Sequence, residues 1–268
     1  MKKKRLTRRI IIQTLVDMLE PLDYVHAFYE GGAAAFNRID EWSDIDIYLV
    51  VDDERVNETY LTVEKALESL SPIEYKYKVL QSSWPGLSQT FYKLQDTSEF
   101  LVIDLAILTL SSPEKFLEPE VHGNIVFYFN KSGKMKPLPL NEASRMKKLL
   151  KRLERLEARF KMFNSFVQKE INRGNHLEAL DIYRVLTLSV LIEVLRIKYN
   201  PTHYDFKMRY IHYELPSEVI GKLMRLHFVE DENHLEAKYH EATKWFHEVM
   251  SKIDQKEIVR SKGMSKYE

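Results

Sequence analysis

The sequence predicts an α+β protein: a mixed β-sheet with flanking helices, followed by an α-helical bundle. Three observations predict it. Apolar residues alternate repeatedly between residues 24 and 129, two prolines stand at 137 and 139, and beyond them the apolar period lengthens from that of a strand to that of a helix. The change divides the chain into two domains, 1–138 and 139–268, each long enough for its own core.

The elements follow in order. Ile11, Leu15, Met18 and Leu19 fall at helical spacing ahead of Pro21. Gln13, Thr14, Asp17 and Glu20 interrupt the apolar run, so this basic and apolar start reads as an amphipathic helix rather than a signal peptide. The Lys2 to Arg9 cluster reads as its solvated end. Tyr24 to Glu30 is a strand running into Gly31-Gly32, with a short Ala-rich helical turn after it. In Asp44 to Val51, Ile45, Ile47 and Leu49 take one face and Asp44, Asp46, Tyr48 and Val50 the other. Val63, Ala66, Leu67 and Leu70 form a helix stripe. Residues 72–80 return to strand with Ile73, Tyr75, Tyr77 and Val79 alternating, Phe91 to Leu94 and Phe100 to Leu108 add two more, and Asn124 to Phe129 closes the sheet. After Pro137-Leu-Pro-Leu, one long helix is expected from Glu142 to about Arg173, then helices over His176 to Tyr199, Pro216 to His227 and Asp231 to about Ile253. The tail Arg260 to Glu268 reads as frayed.

Composition narrows the chemistry. Lysine plus arginine and aspartate plus glutamate number 40 each, so no global field draws in a polyanion and nucleic acid is a poor partner. Without cysteine there is no disulfide, thiolate metal site or cysteine nucleophile. No stretch has the length and freedom from charge of a membrane span, and the cytoplasm is the expected compartment.

The chemistry is concentrated in three aspartates. Asp44 and Asp46 lie two apart on a strand, so both carboxylates project from one side and repel unless a cation or shared proton relieves them. Asp104 interrupts the apolar segment Phe100-Leu-Val-Ile-Asp-Leu-Ala-Ile-Leu108, where a buried carboxylate needs a partner. If its strand lies beside the first, three oxygen-donor groups converge as hard divalent ions require, and two metal ions could be held for in-line phosphoryl chemistry. Gly31-Gly32, between a strand and a helix start, lets backbone N–H groups approach phosphate oxygens. The plainer readings are a solvated strand edge for the aspartate pair, an arginine-paired carboxylate for Asp104 and a tight turn for the glycines.

The segment Glu30-Gly-Gly-Ala-Ala-Ala-Phe-Asn-Arg-Ile-Asp-Glu-Trp-Ser-Asp-Ile-Asp-Ile47 resembles the signature of the DNA polymerase β-like nucleotidyltransferases, a glycine turn followed about ten residues later by Asp-x-Asp. The motif-bearing resemblance runs from about 24 to 108; the following helices resemble, in architecture only, those of two-domain antibiotic-type nucleotidyltransferases, where they wall the other side of the cleft. The resemblance implies that Asp44, Asp46 and Asp104 are the catalytic residues and the metal ligands, for two Mg2+ ions or Mn2+. It also implies an NTP co-substrate bound near Gly31, Gly32, Ala33, Arg38 and Ser43, and transfer of an NMP to a hydroxyl of a small-molecule or protein acceptor with release of pyrophosphate. A homodimer is compatible with it. Ala33 departs from the family pattern, which often has serine there, and Asn37 stands where a further glycine is common. A second reading is therefore a catalytically weak or inactive nucleotide-binding module, antitoxin-like; a third is a template-independent RNA polymerase, but no aromatic platform among basic residues is evident. Tyr183, Arg184, Lys207 and Arg209 are further candidates for phosphate contacts. Arg196 and His203 match an Arg-x6-His spacing resembling that of helical ribonucleases, although Pro201 interrupts any helix between them.

Overall fold

The computed structural model describes residues 6–80, 84–131, 133 and 135–253; the expected frayed tail and Lys2 to Arg5 lie outside them. The chain divides into two compact units, with the boundary along the sequence between Leu140 and Asn141.

The first unit is built on one six-stranded sheet. Its elements are α1 (Arg8–Leu19), β1 (Val25–Glu30), α2 (Gly32–Ala35), β2 (Ile45–Val51), α3 (Val56–Leu70), β3 (Ile73–Lys78), β4 (Leu87–Leu94), β5 (Ile103–Thr109), α4 (Pro119–His122) and β6 (Val126–Asn130). The order across the sheet is β3-β4-β5-β2-β1-β6. β2 and β5 run parallel, and each other neighbouring pair is antiparallel, so the sheet is mixed.

Strand alternation gives this sheet two different faces. Ile45, Ile47, Leu49 and Val51 of β2 and Ile103, Leu105 and Ile107 of β5 point to one side. There they bury against Ile11, Ile12, Leu15 and Leu19 of α1 and Tyr60, Val63, Ala66 and Leu67 of α3. Each buried valine, leucine or isoleucine among them contributes about 1.5–3 kcal/mol by leaving water. Met18, expected on that stripe, lies toward solvent with 37% exposure, and Ile12 takes its place. The opposite face carries the aspartates at one end of β2 and β5. Farther along the strands it carries a smaller cluster of Ala27, Tyr29, Val50, Leu108 and Leu117.

The second unit consists of α5 (Glu142–Phe163), α6 (Phe166–Asn172), α7 (His176–Ile182), a π-helical turn at Tyr183–Leu188, α8 (Ser189–Tyr199), α9 (Ile211–Glu214), α10 (Ser217–His227) and α11 (Glu232–Ser251). The single helix expected from Glu142 to Arg173 is interrupted at Asn164. That residue serves the bundle interior: its amide donates to the Thr243 hydroxyl at 3.0 Å and its oxygen accepts from Thr187 at 2.6 Å. Thr187 belongs to the π-helical turn, a local change of winding that apolar periodicity does not encode.

Candidate active site

The pairing of β2 with β5 brings the sequence-predicted carboxylates onto one face. In this parallel pair Asp46 lies opposite Asp104, so the two side chains leave the sheet on the same side, one strand spacing of about 4.8 Å apart. Asp44 immediately precedes β2 and extends the same row of alternate residues; it is exposed, whereas Asp46 and Asp104 are half-buried. On the other flank, the Gly31 N–H donates to the Asp46 carbonyl at 3.0 Å. The glycine turn is thus joined to the strand that carries the aspartates.

Gly32 is required by that junction. Its φ of +51° lies in the left-handed region, and a Cβ there would stand 1.7 Å from Asp46 Oδ2. The Asp46 carboxylate therefore occupies the space a side chain would fill. At Gly31 a Cβ would meet the Tyr48 ring at 2.9 Å. The Gly31 N–H serves the sheet, while those of Gly32 and Ala33, which open α2, have by helix geometry no acceptor within the helix. Arg38 donates its own N–H to the Ala33 carbonyl at 2.8 Å, and its guanidinium lies 5.1 Å from the centre of the Phe36 ring. The Ser43 hydroxyl donates to Asp40 Oδ1 at 2.7 Å and accepts from the Asp40 N–H at 2.9 Å, closing the turn that leads into β2.

Asp104 is less buried than an interior strand suggests, and its partner is a neutral amide rather than arginine. Gln89 on β4 donates to both its oxygens, at 2.7 and 3.0 Å. Burial pushes the Asp104 carboxyl up to about 6; the Gln89 hydrogen bond opposes this and the Asp44 charge adds to it. The charge of Asp44 therefore reaches the Asp104 carboxyl. Among the described residues the three aspartates do not bring their oxygens within 4.8 Å of one another as a trio, whereas Glu114, Glu118 and His122 do bring their ligand atoms that close. Those three, on and before α4, border Phe116, whose ring packs 5.7 Å from that of Tyr48 and 5.4 Å from that of His122. No sequence motif singled them out.

Arg8 was also missed. The basic cluster that contains it reads in sequence as a solvated helix end, yet the Arg8 guanidinium donates to the Asp44 carbonyl and pairs with Glu30, a residue only 1% exposed. Glu30 also accepts from the Tyr128 hydroxyl at 2.6 Å. Burial lowers the Arg8 pKa, while Tyr128, Asp46 and Asp44 act to raise it. A cation at the start of α1 thus faces the acidic end of β2. The sequence contained one usable signal, the acidic Glu30 inside an otherwise apolar and aromatic strand.

The candidates of the second unit have local roles. Tyr183 is buried, with its hydroxyl donating to the Leu226 carbonyl at 3.0 Å, so it is not presented to a phosphate. Arg184, Lys207 and Arg209 are exposed; the Arg209 guanidinium lies over the Phe206 ring at 4.2 Å. Arg196 and His203 do come together, but inside the fold rather than on a catalytic surface. Arg196 Nη1 bonds Glu214 Oε2 at 2.6 Å, His203 Nδ1 contacts Glu214 Oε1 at 2.8 Å, and the side chains are 0%, 4% and 2% exposed for Arg196, His203 and Glu214.

No protein-family model matches the chain, and no curated protein matches it. Among solved structures it is similar to an aminoglycoside 6-adenyltransferase from Bacillus subtilis, at 12% identity and a TM-score of 0.34 over 95% of this chain and 97% of that one. It is also similar to a spectinomycin adenyltransferase from Enterococcus faecialis, solved with ATP and spectinomycin, at 10% identity and a TM-score of 0.37 over 91% and 98%. No helix among the described residues is long and apolar enough to cross a membrane.

Proposed function

We propose that the chain is a metal-dependent nucleotidyltransferase that moves an NMP from an NTP to a hydroxyl acceptor and releases pyrophosphate. One observation carries the reading: Asp46 and Asp104 stand opposite each other on parallel strands, with Asp44 beside them and the Gly31-Gly32 turn joined to the same strand. The donor set fits Mg2+, or Mn2+ in its place. It offers only carboxylate oxygens, and it includes one carboxyl raised by burial and, to a lesser degree, by the Asp44 charge.

Asp44, Asp46 and Asp104 would hold the ions. When bound, these neutralise the triphosphate and favour in-line displacement at the α-phosphorus. The chain's own groups supply position. The opening amides of α2 face the phosphates, Gln89 fixes the Asp104 carboxyl in orientation, and Asp104 accepts the proton of the acceptor hydroxyl as the new phosphorus–oxygen bond forms. Pyrophosphate carries away the electron pair of the broken bond.

The test combines pyrophosphate release, measured with each of four NTPs across an acceptor panel, with Mg2+ titration calorimetry. Asp46→Asn should abolish release and weaken Mg2+ binding while leaving the unfolding curve nearly unchanged; unaltered release in this variant would remove Asp46 from the mechanism. Ala33 favours a second reading. The family's serine hydroxyl is absent there, and nucleotide binding without metal-dependent turnover would identify a binding module.

A further inference from the structure

The strand registers extend the acidic row beyond Asp104. Asp104 pairs with Phe91 on β4, and Phe91 pairs with Tyr77 on the edge strand β3. One lateral line therefore crosses the sheet from Tyr77 through Phe91 and Asp104 to Asp46, all leaving on the same face. The Tyr77 and Phe91 rings lie 6.3 Å apart at 34°, and Tyr77 remains 67% exposed, so their mutual contact leaves most of the tyrosine ring open.

The cations nearby discriminate between occupants. Lys76 and Lys78 alternate with the tyrosines and so leave from the opposite side, where Lys76 binds Glu64 at 2.6 Å and Lys78 lies 5.3 Å from the centre of the Tyr60 ring. On the aspartate face this edge presents rings and, among the β3 and β4 side chains, only the cation Lys93. A polynucleotide needs a track of cations beside its stacking rings. A single ring compound does not.

We propose that Phe91 and Tyr77 form the acceptor shelf, binding a small hydroxylated ring compound by its apolar face. This rests on Asp104 being the residue that receives the acceptor proton. Adjacent strands are about 4.8 Å apart, close to the width of a six-membered ring, so a ring lying on Phe91 brings a rim hydroxyl to Asp104. The glycine turn lies on the far side of Asp46, which separates the acceptor from the triphosphate. Pyranose and arene rings share the required chemistry, since either offers an apolar face to an aromatic side chain.

The experiment is saturation-transfer NMR on the full chain without nucleotide or metal, using a panel with a methyl pyranoside arm and a substituted phenol arm. At least one arm should bind. Phe91→Leu and Tyr77→Leu, which keep apolar bulk in the strands, should each weaken that probe at least fivefold, while Tyr77→Phe should retain it. No binder in either arm, or binding unchanged in either leucine variant, overturns the proposal. So does a labelled 12-nucleotide RNA whose binding depends on the same two rings. Failed pyrophosphate release alongside ring-dependent probe binding would instead count against the nucleotidyl-transfer assignment alone.

Discussion

Gly32→Ala separates the stability of the first unit from the geometry of its site. Holding alanine at a φ of +51° costs about 1–2 kcal/mol, offset by about 0.4–1 kcal/mol from the stiffer unfolded chain. The net loss should be near 1 kcal/mol, a fall of about 2–4 °C in melting temperature for a protein of this size. The effect on the site is larger. The new methyl would lie 1.7 Å from Asp46 Oδ2 and 2.4 Å from its Cγ, whereas carbon and oxygen approach to only about 3.3 Å even in close contacts. The carboxylate must swing by about 1.5 Å, and a displacement of about 1 Å in a positioned group costs about 100-fold in rate. Pyrophosphate release should therefore fall by about 100-fold or more, with weaker Mg2+ binding by calorimetry. Gly31→Ala is the control, because Gly31 has a φ of −105° and its methyl would meet only the Tyr48 ring, at 2.9 Å. It should lose less than tenfold. Turnover in Gly32→Ala within threefold of the parent would refute the claim that Asp46 must occupy the space beside this glycine.

Three further outcomes follow from other buried charges. The Asp104 carboxyl, raised to about 6 in the fold, penalises the folded state progressively between about pH 4 and 6 and fully above that. In chelator, Asp104→Asn should therefore stabilise the protein by up to about 2 kcal/mol at pH 7.5 and by little at pH 3.5 in urea unfolding, and with Mg2+ restored it should show no turnover; equal effects on stability at both pH values would contradict this. Burial opposes the Glu214 charge, but His203 and Arg196 together hold its pKa below the ordinary value, so its contribution is full above about pH 4.5 and fades as pH falls through the folded value. Glu214→Gln should cost about 3–5 kcal/mol at neutral pH by stranding Arg196, and flatten the acid limb of a Trp245 fluorescence unfolding series. Arg8→Gln strands Glu30 and should cost about 3 kcal/mol by denaturant titration, with Arg8→Met plus Glu30→Gln recovering at least half of it.

These groups also mark where sequence reading succeeds and stops. The alternation of Ile45, Ile47 and Leu49 against Asp44, Asp46 and Tyr48 is a local property, and so was legible; the resulting strand has the expected faces. The neighbour of that strand is not local. Asp46 meets Asp104 through a register that no periodicity states, and Gln89 reaches Asp104 from a third strand. The same limit hid Arg8, whose partners lie more than twenty residues away, and Asn164, whose buried amide depends on Thr187 and Thr243. It also hid the rings of Tyr77 and Phe91: alternation placed each in its own strand, but only cross-strand pairing makes them neighbours. The interval between Arg196 and His203 is visible in the sequence, yet a spacing does not distinguish a surface pair from one closed around Glu214.

The parallel alignment of β2 and β5 has a consequence for how the chain reaches its native state. Parallel partners cannot be joined by a tight hairpin, and here the connection contains α3, β3 and β4. Bringing residues 46 and 104 together means closing a long loop, an entropic cost incurred before the contact is rewarded. The acidic constellation is therefore absent from any collapsed species in which only neighbouring segments have paired, and the charges of Asp46 and Asp104 face each other only once the central strands have docked.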